Sequence, residues 1–116
     1  MIPKLKIYNL NTKILVWDHN KEHLFKVANK LVEDNEYIAG IAYHYYTGPH
    51  EKQVRLVREK YPDKLMIHTE GCCGFSKYDE KEWVRDAEIY IDDIVKDINN
   101  GGNAYIDWNI LFKRKK

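Results

Sequence analysis

The stretch LMIHTEGCCGF, residues 65 to 75, decides the fold. Leu65, Met66 and Ile67 form an apolar run of strand length, and the run ends in the carboxylate Glu70, two adjacent cysteines and two glycines. A strand buried on both faces reads as continuously apolar and belongs to a parallel sheet covered by helices.

The same pattern recurs on either side. Residues 13 to 20, KILVWDHN, form an apolar run ending in polar residues, and Leu24, Val27, Ala28, Leu31 and Val32 follow at helical spacing. Residues 37 to 46, YIAGIAYHYY, form the next strand. After a loop with Gly48 and Pro49 come Val54, Val57 and Tyr61, and Pro62 stops that helix. The third strand is residues 64 to 70. Its helix has a start signal at Asp79 with Glu82 three positions on, as in a capping box. The apolar stripe of Trp83, Ala87, Tyr90, Ile91, Ile94, Val95 and Ile98 is expected to pack on the sheet. Residues 99 to 102, NNGG, end it, and residues 104 to 110 are the fourth strand. The expectation is α/β: four parallel strands joined by right-handed crossovers through three helices.

The chain has 116 residues, which suits a single domain and falls short of the roughly 250 of a complete eight-stranded barrel. Composition is globular, with 44% hydrophobic and 32% charged residues, and a net charge of +1 gives no reason to expect a nucleic-acid partner. The basic run Lys113 to Lys116 reads as a solvated tail. No segment reaches the roughly 18 apolar residues of a membrane span, and the N-terminus lacks the apolar core of a signal peptide. A cytoplasmic location is expected. Cys72 and Cys73 are neighbours that lack the ligand count of a closed zinc site, so both read as reduced thiols, and neither metal nor cofactor is expected.

Polar residues collect at the strand ends: Asp18, His19 and Asn20; His44 and Tyr46; Glu70; Trp108 and Asn109. Parallel strands share one direction, so these ends gather on one rim, where α/β folds bind ligands. Asp18 to His44 and His44 to Glu70 each span 26 positions, and Glu70 to Trp108 spans 38, all compatible with one βα unit. Singly, each residue has a plainer reading. Asn20 could cap the following helix, His44 could be a hydrogen-bonded core histidine, Glu70 a structural carboxylate and Trp108 a core aromatic.

Read in order, AspHisAsn (18 to 20), GlyIleAlaTyrHisTyrTyr (40 to 46), ThrGluGlyCysCysGly (69 to 74), Trp83 with Ala87 and Tyr90, AsnAsn (99 to 100) and IleAspTrpAsnIle (106 to 110) resemble the second half of the glycoside hydrolase family 30 barrel. This is the clan of glucosylceramidases and related retaining β-glycosidases. The resemblance runs from about residue 12 to about residue 111. It implies a partial (β/α)8 TIM barrel corresponding to strands five to eight, with residues 1–116 forming one half-barrel domain. By its place in ThrGluGlyCys, Glu70 matches the family's catalytic nucleophile. Asp18, Asn20, His44, Tyr46, Trp108 and Asn109 are implied to bind a carbohydrate or glycoside substrate.

The sequence departs from the family in one respect that bears on chemistry. The family's acid/base glutamate lies in an AsnGluPro motif after strand four, and these 116 residues contain none; the only AsnGlu pair, Asn35 and Glu36, follows the first helix. The resemblance therefore implies a fragment of a retaining glycosidase without its proton donor, inactive alone. The other reading is a non-catalytic sugar-binding or structural fragment that folds with a partner. A half-barrel would leave one sheet face open, either Ile14, Val16, Ile41, Met66 and Ile106 or their neighbours of opposite parity. Self-association, pairing with a complementary half-barrel or closure as a doubly wound sheet would cover it.

Overall fold

The computed structural model describes Tyr8 and residues 11–33, 35–72 and 80–108. Asp79, the run 113 to 116, Cys73, Gly74, Asn109 and the side chain of Glu82 lie outside the described residues. Among the described residues there are four strands: β1 (Ile14–Asn20), β2 (Ile38–His44), β3 (Leu65–Glu70) and β4 (Ala104–Tyr105). A 3-10 turn (Lys21–His23) leads into α1 (Leu24–Leu31), and α2 (Glu51–Lys60) and α3 (Glu80–Asn99) complete the set. All three pairings are parallel and the sheet order is β1-β2-β3-β4. A doubly wound sheet reverses its strand order at a switch point, and this sheet does not.

Strand boundaries match the expected ones to within two residues except for β4, expected over residues 104 to 110, which among the described residues pairs only at Ala104 and Tyr105, with 109 and 110 outside them. Beyond β4, backbone bonds continue the contact in looser form. The amide of Ile106 donates to the carbonyl of His68 at 2.7 Å and that of Trp108 to the carbonyl of Gly71 at 2.9 Å.

The core lies between the sheet and helices α1 and α2. Leu24, Ile41, Tyr43, Val54, Val57 and Met66 are completely buried there, and Ile14 and Val16 pack against them. The open face is therefore the one of opposite parity. Leu15, Leu65 and Ile67 point that way and remain partly accessible, and Ile106 is half exposed. Gly40 also belongs to this face. A Cβ there would overlap the backbone carbonyl of Leu65, so close strand approach requires glycine.

Helix α3 corrects the expected stripe. Trp83, Ile91, Val95 and Ile98 are about half exposed or more, and Ala87 is exposed. The buried positions are Asp93 and Asp97, flanked by partly buried Tyr90 and Ile94. Two carboxylates four residues apart share one helix face, and here that face turns inward because Lys21 meets it. The Lys21 ammonium, wholly buried, bonds Asp93 Oδ1 at 2.6 Å and Asp97 Oδ1 at 2.8 Å. Among the described residues, no helix is long and apolar enough to cross a membrane.

Candidate active site

The strand register aligns Asn20 with His44 and His44 with Glu70, so the polar strand ends share one level of the sheet. Two irregularities turn side chains into the rim. In β1 the register shifts between Trp17 and His19, and Trp17 and Asp18 take positive φ values of 86° and 50°. Such conformations cost on the order of 1–3 kcal/mol each and persist only where surroundings hold them. Here the Trp17 indole N–H donates to the carbonyl of Asn20 at 3.0 Å, closing the bulge. Between β2 and β3 the register shifts where Tyr43 pairs with His68 and His44 with Glu70, which leaves Thr69 as the extra residue of β3.

The bulge delivers the Asp18 carboxylate to two donors. Thr69 Oγ1 donates to Asp18 Oδ1 at 2.7 Å, and His44 Nε2 lies 3.1 Å from the same oxygen. The Thr69 hydroxyl foremost holds the Asp18 carboxyl below its ordinary range; burial opposes it, and the His44 ring adds to the lowering. Tyr46 Oη donates to Glu70 Oε1 at 3.0 Å. Burial, and then the adjacent Glu70 carboxylate, raise the Tyr46 phenol above its ordinary value, so it stays a donor. The His44 and Tyr46 rings meet edge to face with centroids 6.0 Å apart, joining the Asp18 and Glu70 pairs. The result is one continuous polar row: Thr69, Asp18, His44, Tyr46 and Glu70.

Asn20 caps no helix with its side chain, and its Oδ1 is buried without a hydrogen-bond partner among the described residues. Trp108, half exposed, is tied to the turn after Glu70 by its amide. A cavity of about 300 Å³ opens between the loop after β2 and α3, lined by Tyr45, Tyr46, Pro49, Ile89, Asp93 and Lys96 among others. It borders the polar row through Tyr46 and includes neither Asp18 nor His44 nor Glu70.

Three groups near the row were not legible in the strand-end pattern. Thr69 lies within ThrGluGly, but its role as donor to Asp18 depends on two register shifts that periodicity does not reveal. His68 is completely buried, with Nδ1 2.7 Å from Asp97 Oδ2 and Nε2 2.9 Å from the carbonyl of Glu70. Tyr45 hydrogen-bonds the carbonyl of Cys72. His68, Asp93 and Asp97 bring three ligand atoms within 4.8 Å of one another, but the Lys21 ammonium already bonds both carboxylates, as a bound cation would. The only signal in the sequence is the spacing of Asp93 and Asp97 on one helix face.

Comparison with known proteins bears on the family and the fold. The model of the glycosyl hydrolase family 30 TIM-barrel domain matches residues 1–115. Two proteins of Caenorhabditis elegans named Putative glucosylceramidase 4 and Putative glucosylceramidase 3 are each 32% identical to it, over 87% and 93% of this chain. The chain spans 21% and 22% of their lengths. In the crystal structure of SrfJ from Salmonella typhimurium, 93% of this chain superposes on 25% of that one with a TM-score of 0.87 and 30% identity. The endo-β1,6-glucanase BT3312 superposes over 93% of this chain and 26% of its own, with a TM-score of 0.78 and 29% identity. The four-stranded parallel sheet is thus part of a TIM barrel, and the chain belongs to glycoside hydrolase family 30.

Proposed function

We propose that this chain carries the nucleophile side of a retaining β-glycosidase site for glucoside substrates, with Glu70 as the nucleophile. One observation carries the reading: Glu70 ends β3 on the rim with one carboxylate oxygen held by Tyr46. The other oxygen is then available for attack on an anomeric carbon. Asp18 and His44 supply hydrogen-bonding groups for sugar hydroxyls beside it, and Trp108 an aromatic face for the C–H surface of the ring. Asn20 and Asn109 complete the proposed sugar contacts.

Retaining hydrolysis needs two carboxyl groups about 5 to 5.5 Å apart. Glu70 forms the glycosyl–enzyme bond, and a second group protonates the leaving oxygen and then activates water. No AsnGluPro occurs in these 116 residues, so the acid/base comes from outside them, in a complementary half of the barrel. General acid–base help is typically worth 10²- to 10⁴-fold. The 116-residue chain alone is therefore expected not to turn over an unactivated β-glucoside, and turnover at ordinary enzyme rates would contradict this assignment.

Coexpression with strands one to four of a related enzyme, followed by a mechanism-based fluorinated glucoside, tests the nucleophile. Labelling at Glu70 is the expected result, lost in Glu70→Gln. An active mixture labelled at another residue would overturn it.

A further inference from the structure

The carbonyls of Glu70, Gly71 and Cys72 are each held by a side-chain donor from a different part of the fold. His68 Nε2 from β3 lies 2.9 Å from the Glu70 oxygen, Tyr90 Oη from α3 donates to the Gly71 oxygen at 3.2 Å, and Tyr45 beyond β2 donates to the Cys72 oxygen. The Trp108 amide adds a second bond to the Gly71 oxygen at 2.9 Å. The β3 ladder ends at Glu70, so strand pairing accounts for none of the three side-chain bonds.

Chemistry fixes the direction of the first bond. A carbonyl only accepts, so His68 Nε2 carries a hydrogen and donates. Nδ1 faces Asp97 Oδ2 at 2.7 Å, while the other oxygen of Asp97 takes the Lys21 ammonium at 2.8 Å. The imidazole is thus gripped at both ring nitrogens, by Asp97 on one side and the Glu70 carbonyl on the other. The imidazole packs among the rings of Tyr105, Tyr43 and Tyr45, at centroid distances of 4.0, 5.4 and 6.0 Å, which fix its plane. Gly71 makes the closure possible: a Cβ there would overlap the Tyr105 hydroxyl and stand 3.1 Å from His68 Nε2.

We infer that Asp97 and His68 are positioning residues that, anchored through Lys21, hold the peptide carbonyl of Glu70 and thereby aim its carboxylate. The inference rests on the reading of Glu70 as nucleophile for its catalytic meaning. The clamp itself is measurable without activity. In the ¹³C,¹⁵N-labelled full chain, long-range spectra should show a protonated His68 Nε2 with a scalar coupling across the hydrogen bond to the Glu70 carbonyl carbon.

His68→Gln keeps an N–H donor and His68→Phe removes it. In His68→Phe, exchange of the Trp108 amide should quicken about tenfold, the factor that one hydrogen bond worth about 1.4 kcal/mol represents. The Glu70 side-chain carboxyl resonance should broaden or split as its Tyr46 bond loses register. His68→Gln should restore both, which a role in bulk packing would not predict. A wild-type Nε2 without a proton, or a folded His68→Phe with wild-type exchange and a single Glu70 line, would overturn the inference. Should His68→Phe fail to fold, Asp97→Asn decides: with the charged anchor of Nδ1 removed the imidazole should loosen, the Nε2 coupling to the Glu70 carbonyl should weaken and Trp108 exchange should speed, and an unchanged coupling with unchanged exchange would refute the clamp. Fluorinated-glucoside labelling away from Glu70 would remove the nucleophile reading while leaving these spectra as they are, so the two failures are distinguishable.

Discussion

Lys21→Met should be the most damaging conservative change in the fold. Methionine roughly preserves the length of the side chain but leaves Asp93 and Asp97 facing each other in a buried space that the ammonium now bridges at 2.6 and 2.8 Å. Removing one partner of a buried ion pair costs about 3–5 kcal/mol, because Asp93 is left buried without its ammonium and Asp97 keeps only His68 Nδ1, at 2.7 Å. A chain of this length has a stability of about 6–17 kcal/mol at about 0.05–0.15 kcal/mol per residue. The loss is thus a third or more of the total over most of that range, and should lower Tm by about 10–20 °C.

Urea and thermal unfolding followed by circular dichroism measure it. The pH dependence is a sharper check. Burial foremost holds the Asp93 carboxyl above its ordinary range, with the Lys21 bond pulling the other way. A group whose folded pKa is raised contributes stability that is complete below its unfolded value, about 3.9 for aspartate, and that is lost as pH rises through the folded pKa. Deleting Lys21 removes the opposing pull, so Asp93 keeps its proton to higher pH and the penalty should be smallest near pH 4 and grow toward pH 7. Lys21→Met with Asp93→Asn should recover part of the loss, as coupled sites do. A deficit below about 1 kcal/mol at pH 7 would refute the reasoning, since it would mean that the two carboxylates find solvent or another partner at little cost.

Three further outcomes are expected. Gly40→Ala should destabilise by about 1–3 kcal/mol in urea unfolding, because the added methyl meets strand backbone and not a flexible side chain, and a neutral effect would contradict the close β2–β3 approach. Thr69→Val removes the main donor to Asp18, so the Asp18 carboxyl should titrate at higher pH by ¹³C NMR; the wild-type contribution of Asp18 to stability is present above about pH 3.9 and lost as pH falls through its lowered pKa, and an unmoved midpoint would exclude Thr69 as the main cause. The partly open face around Leu15, Leu65 and Ile67 should drive self-association at micromolar concentration, read by light scattering, and a concentration-independent monomer would count against it.

The strands were legible because a parallel sheet under helices imposes continuous apolar runs, and Val16, Ile41 and Met66 show that signature plainly. Asp18, His44 and Glu70 were legible as rim residues for the same reason, since a shared strand direction converts chain position into spatial position. What escaped was set by pairs distant in sequence. Nothing near Asp93 and Asp97 in the chain announces Lys21, 72 and 76 positions away. Hydropathy points the Trp83 and Ile91 stripe at the sheet because it ranks a carboxylate outward, and an ion pair reverses that ranking. His68 looked like an ordinary strand residue, and only its two ring nitrogens, each with a named acceptor, distinguish it.

The strict β1-β2-β3-β4 order has a kinetic consequence. Ile41 lies 25 positions after its partner Val16, Met66 lies 25 after Ile41, and Ala104 lies 37 after Ile67. Each joint therefore closes a loop of similar length, and loop-closure entropy changes only slowly with length, so no joint is markedly slower than the others. A strand emerging during synthesis meets its neighbour already made, and the sheet lengthens by one βα unit at a time without waiting for a distant segment. Growth by repeated, nearly equal steps is how a chain of this pattern can be extended by duplication of whole units while each junction keeps the geometry of the last.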